Sequence, residues 1–124
     1  MNKPRQKKEI NGQRGTMVMT TMPLSTNKIY RGRRFLTEAA KVNKSLMGWE
    51  IKTQWEQQPL KGNVTMTVEL YYPDKRRRDI DNLKGMIDSF TGILYEDDSQ
   101  ITELRLKKYV DKQNPRVTIH ITEV

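Results

Sequence analysis

Cysteine is absent from this 124-residue chain. Disulfides, thiolate catalysis and cysteine-ligated zinc or iron–sulfur sites are therefore excluded, and nothing asks for an oxidising compartment. Long apolar runs are missing too. No stretch approaches the ~18 residues that span a bilayer, and the amino terminus lacks the apolar segment of a secretory signal. A cytoplasmic protein without membrane contact is expected. Histidine occurs once, and His120 reads as a lone residue on the polar side of the last strand rather than a ligand. Acid is also in deficit: 15 Asp and Glu face 23 Lys and Arg, a net charge of +8.

That imbalance makes a polyanion the natural partner, because cations placed near phosphates release condensed counterions. Lys3, Arg5, Lys7, Lys8 and Arg14 against Glu9 put half of the excess into the first 15 residues. Residues 1–14 read as a basic, disordered arm ahead of one domain over 15–124.

The domain has a legible order. Thr16 to Met22 has the β-branched and apolar content of a strand, stopped by Pro23. A polar loop to Arg34 carries Lys28, Arg31, Arg33 and Arg34. Thr37-Glu38 opens a helix predicted over 36–57, with Ala39, Val42, Leu46, Trp49, Ile51 and Trp55 near one face and both tryptophans packed inside. Val64, Met66, Val68, Leu70 and Tyr72 then alternate without a break, the pattern of a half-buried strand. A second, shorter helix through Met86, Ile87 and Phe90 follows, with Asp81 as a competent N-cap, and Thr91-Gly92 ends it. Strands over 101–110 and 116–123, joined by a turn at 112–115, close the chain. The order β-α-β-α-β-β predicts an α+β fold, a mixed sheet of about four strands covered by two helices.

Chemistry concentrates in one stretch. Asp79, Asp81, Asp88, Glu96, Asp97 and Asp98 crowd into a short interval of a strongly basic chain, directly after Lys75, Arg76, Arg77 and Arg78. In an extended segment Asp79 and Asp81 point the same way. If the turn at Asp97-Asp98 folds back beside them, three carboxylates converge. Like charges so close call for a cation, and hard oxygen ligands select Mg²⁺ or Mn²⁺. The spacing leaves other roles open: a helix cap for Asp81, pairing with neighbouring arginines for Asp79, and a solvated turn for residues 96–98.

The run Tyr72-Pro73-Asp74-Lys75-Arg76-Arg77-Arg78-Asp79-Ile80-Asp81-Asn82-Leu83, with Glu96-Asp97-Asp98-Ser99-Gln100-Ile101 downstream, resembles the core of the RusA family of Holliday junction resolvases. Pro23-Leu24-Ser25-Thr26-Asn27-Lys28-Ile29-Tyr30 echoes the family's segment ahead of its first helix. The resemblance implies a homodimeric, Mg²⁺-dependent endonuclease, bacterial or phage-encoded, that makes paired nicks in four-way DNA junctions during recombination and repair. It needs no organic cofactor. On this reading Asp79, Asp81 and Asp98 are the metal ligands, with Mn²⁺ able to substitute. The family's functional lysine stands four residues after the second aspartate. Here Lys84 stands three after Asp81 and Gly85 occupies the fourth place, so one residue is missing. The role passes to Lys84 only if its helix starts later or turns to compensate, one residue being about 100° of rotation.

The arginines of 75–78, extended by Arg31, Arg33 and Arg34, are expected to grip the DNA backbone. Asn27 belongs to the same basic loop, and Tyr30 is placed to meet an unpaired base. Two other classes compete: a non-catalytic basic nucleic-acid-binding protein, which leaves the acidic cluster idle, and a small structural protein of the ribosome.

Overall fold

Strict alternation over nine residues makes Val64–Tyr72 the strand on which the fold is organised. Its even-numbered side chains are buried, Val64, Val68 and Leu70 completely, while the odd-numbered ones are half-exposed. The computed structural model describes residues 14–24, 30–31, 35–76 and 83–124, with backbone alone at 30, 31, 35 and 36. In chain order the elements are β1 (Arg14–Met19), β2 (Tyr30–Arg31), β3 (Phe35–Leu36), α1 (Glu38–Gln54), β4 (Val64–Tyr72), α2 (Lys84–Ser89), a 3₁₀ turn (Asp98–Gln100), β5 (Ile101–Val110) and β6 (Arg116–Glu123).

The main sheet runs β1-β6-β4-β5, with β4 and β5 parallel and the other pairs antiparallel. It is the mixed four-strand sheet of an α+β domain, in the predicted order. Met17, Ile119, Val68 and Leu106 fall in register across one face. There they join Met47 and Ile51 from α1, Trp55 at its C-cap, and Leu83, Met86 and Phe90 from the α2 region in a single core. Each such side chain, fully buried, contributes about 1.5–3 kcal/mol, so this cluster outweighs the surface ion pairs at ~0–1 kcal/mol each. Thr16, His120, Thr67 and Arg105 share the opposite face.

Several expectations need correction. Residues 30–31 and 35–36 pair as a short antiparallel hairpin where a plain loop was expected. The long helix is shorter than predicted, capped by the Thr37 hydroxyl accepting from Ala40 N at 3.1 Å and ending before Trp55. Its buried side is Ala40, Met47 and Ile51, and Val42, Leu46 and Trp49 point outward, Trp49 being 65% exposed. The physical reason lies in β1. Gln54 bonds both Val18 N and Val18 O, Glu50 accepts from the Thr20 and Thr21 amides, and Asn43 donates to Met22 O. These polar side chains replace ladder bonds along the β1 edge and fix the rotation of α1. A short β1 follows as well, since Thr20 and Thr21 leave the sheet to meet Glu50.

The two closing strands do not pair with each other. The turn after Val110 crosses the end of β4, with Asp111 N donating to Tyr72 O at 2.7 Å, so β6 enters on the far side of β4. His120 faces outward as expected but is not alone: Nδ1 lies 3.1 Å from the Thr16 hydroxyl and Nε2 3.1 Å from Glu69.

Candidate active site

The acidic turn is held from two directions. Asp97 is its N-cap, Oδ2 accepting from Ser99 N at 3.0 Å, and those bonds from Ser99 hold the Asp97 carboxyl below the usual carboxylate range. Gln100 closes the reciprocal bond of the capping box, its Oε1 accepting from Glu96 N and Asp97 N at 2.8 Å each. The same amide donates from Nε2 to Leu60 O and Gly62 O, both at 2.8 Å, tying the turn to the segment before β4.

Asp97 is committed to capping, and Asp98 is the half-buried acid of the turn. Its carboxylate has no hydrogen bond or ion pair among the described residues. A carboxylate with free oxygens at the edge of a packed core suits a hard divalent cation.

Tyr95 connects this turn to α2. Its ring is fully buried and its hydroxyl donates to Ile87 O at 2.8 Å. Burial, and then the negative charges of Asp98 and Asp88, push its ionisation far above the ordinary phenol range. Two carboxylates from separate elements therefore bear on one phenol. Asp88 in turn holds Lys84, Nζ to Oδ2 3.6 Å, one helical turn away. Gly92, at φ +85°, takes the left-handed turn that brings the chain from α2 back to Tyr95.

Lys84 is the first residue of α2, and Leu83 occupies the N-cap position without a side-chain cap bond. Asp81, expected as the cap, lies outside the described residues. Leu83 is itself in a helical conformation, φ −91° and ψ −6°. A Cβ at Gly85 would meet nothing within 4 Å, so that position is open.

Asp79, Asp81, Arg77, Arg78, Asn27, Arg33 and Arg34 lie outside the described residues, as do the side chains of Tyr30 and Arg31. Lys75 and Arg76 are exposed, and Asp74 Oδ1 accepts from Arg76 N at 2.9 Å. These two cations follow the carboxyl end of β4, whereas Asp98 precedes the amino end of β5, its parallel neighbour. Among the described residues no three metal-ligating side chains gather.

Sequence reading passed over three contributors. Gln100 was legible, since Asp97-x-x-Gln100 has capping-box spacing. Asp88 was counted among the acids, but its hold on Lys84 at i,i+4 was readable as well. Tyr95 gave no signal, because an aromatic beside an acidic run looks like ordinary core.

The sequence model of a family described as Endodeoxyribonuclease RusA matches residues 4–122. The crossover junction endodeoxyribonuclease RusA of Escherichia coli (strain K12) is 31% identical over 107 residues, which is 82% of this chain and 89% of that protein. Its namesake from Enterobacteria phage 82 has the same identity and coverage. The crossover junction endodeoxyribonuclease of Enterobacteria phage HK97 is 44% identical over 54 residues, 42% of this chain and 45% of that one.

Proposed function

This chain belongs to the endodeoxyribonuclease RusA family, and from that premise we propose that it resolves four-way DNA junctions by metal-dependent hydrolysis of phosphodiester bonds, in recombination and repair. The observation that carries the reading is the half-buried carboxylate of Asp98, without a hydrogen bond or ion pair among the described residues, whose charge bears on the Tyr95 phenol together with that of Asp88, the partner of Lys84. A protein that only binds DNA would leave that carboxylate idle.

Asp79, Asp81 and Asp98 would hold Mg²⁺, or Mn²⁺ in its stead. The ion, when bound, supplies the positive charge that polarises phosphorus and eases deprotonation of the attacking water. The chain's own residues do the rest. Lys84, steered by Asp88, neutralises charge that grows on the phosphate oxygens in the transition state. Gln100 and Asp97 keep the turn rigid, so the acid stays in position as substrate arrives. Lys75, Arg76, Arg77 and Arg78, with Arg31, Arg33, Arg34, Asn27 and Tyr30, hold the substrate without reading much sequence.

A homodimer completes the proposal, since a two-fold pair of sites matches the pseudosymmetry of a four-way junction. The direct test is a labelled synthetic junction incubated with Mg²⁺ or with EDTA. Paired nicks with Mg²⁺ alone are expected. Binding of the junction with no nicking under either condition overturns the assignment.

A further inference from the structure

The face of the sheet opposite the core, which no described element covers, ends in an ordered ladder at its β5 edge. The Arg116 guanidinium lies 3.8 Å from the centre of the Tyr71 ring, held from the other side by Asp111 Oδ2 at 2.9 Å. Tyr71 stacks on Tyr109, ring centres 4.9 Å apart and planes within 17°. The register sets Arg116 opposite Tyr71 and Tyr71 opposite Tyr109, so the ladder crosses three strands and stops at Tyr109, which is 41% exposed. Lys107 and Arg105 precede it on the same face, opposite Glu69 and Thr67.

We propose that Arg105, Lys107 and Tyr109 form a second DNA-contact surface, gripping the backbone of a duplex arm away from the cut; this rests on the junction-resolving reading above. Three observations carry it. Same-face residues on a strand repeat about every 6.7 Å, close to the separation of successive phosphates along one DNA strand, so Arg105 and Lys107 are spaced to meet neighbouring phosphates. Lys107 is exposed and has no ion pair among the described residues. Arg105 is oriented by Glu103, which accepts from Nε at 3.0 Å, and its side chain remains 65% exposed. Tyr109, immobilised by the stack behind it, offers a flat face for a sugar and a hydroxyl for a phosphate at little entropic cost.

The surface runs outward along β5 from the acidic turn. Arg105 is four residues of strand from Ile101, about 13 Å, and Tyr109 eight, about 26 Å at ~3.3 Å each. The far end lies some eight base pairs along B-DNA, well within an arm of a junction. The surface adjoins the point where the basic segment leaves β4, because Asp111 N bonds Tyr72 O across the two strand ends. Lysines on a sheet edge also discourage pairing with another strand, and that role alone predicts no effect on DNA.

The test compares the full-length wild-type chain with Lys107→Ala, Arg105→Ala/Lys107→Ala and Tyr109→Ala. Junction affinity is titrated in EDTA over a range of salt, and single-turnover cleavage is measured at saturating protein with Mg²⁺. Each lost cation should reduce the slope of log K on log salt by about 0.9, Tyr109→Ala should weaken binding about three- to tenfold, and the saturated cleavage rate should stay at the wild-type value. Lys52→Ala, an exposed cation of α1, should leave the slope unchanged. Wild-type salt slopes in the Lys107 and Arg105 variants overturn the surface while the nuclease reading stands. Failure of the wild-type chain to nick the junction at all overturns the parent reading instead.

Discussion

The Tyr95 hydroxyl donates to the carbonyl of Ile87 at 2.8 Å, a side-chain bond that helps fix the acidic turn to the helix carrying Lys84 and Asp88. Through it the anionic and cationic halves of the candidate site become one rigid unit. Tyr95→Phe keeps the ring and removes the bond. The expected loss is about 1 kcal/mol of stability, with cleavage slowed and junction affinity unchanged, as read by thermal unfolding and single-turnover kinetics.

Neutralising the free acid should separate binding from chemistry. Asp98→Asn is expected to cut the rate by at least about a hundredfold while junction affinity holds or rises, because repulsion toward phosphate is lost with the ligand. Asp79→Asn and Asp81→Asn should behave alike. Full activity in Asp98→Asn would remove that residue from the site, and gel shift beside a cleavage assay gives both readings at once.

The lysine register has its own test. Lys84→Ala should lower the cleavage rate strongly with little change in affinity. Gly85→Lys is sterically free, since a Cβ there meets no atom within 4 Å, and adding it to Lys84→Ala should not restore activity. Restoration would show that the next helical position supplies the functional amine.

Much of this was legible beforehand, and the failures have identifiable causes. The alternation of Val64 to Tyr72 marked β4 because only one of its faces meets the core. The acidic cluster stood out against the +8 background. The buried side of α1 was misread because that helix is apolar on two opposite sides. Ala40, Met47 and Ile51 compete with Val42, Leu46 and Trp49, and the contest is decided by Glu50 and Gln54 reaching the β1 edge. No local pattern records that long-range bonding. The place of β4 between β5 and β6 was equally hidden, since a short connection does not say whether the strands it joins pair with each other.

The two tryptophans make that distinction measurable. Trp55→Ala should cost about 3–5 kcal/mol as a buried aromatic lost from the core, whereas Trp49→Ala should stay within about 0.5 kcal/mol. Acrylamide should quench the fluorescence of Trp49 and spare Trp55, which single-tryptophan variants resolve.

Acid should loosen the contact between α1 and β1. Burial works to raise the Glu50 pKa, but the hydrogen bonds from Thr20 and Thr21 outweigh it and hold the group below its usual range. A lowered folded-state pKa means stabilisation that is complete above the unfolded value, about 4.3, and lost as the pH falls through the folded value. Glu50→Gln should therefore be less stable than wild type at neutral pH, with the two melting temperatures converging in acid. Parallel curves would remove this carboxylate from the acid response.

The strand of the sheet that is made last, β6, lies between β1 and β4. Neither half of the sheet can join the other until those residues have been synthesised, although every acid assigned to catalysis is already present. A chain still emerging from the ribosome thus holds the acids assigned to the site without a scaffold to align them. Their alignment waits on β6, the strand that joins the two halves of the sheet.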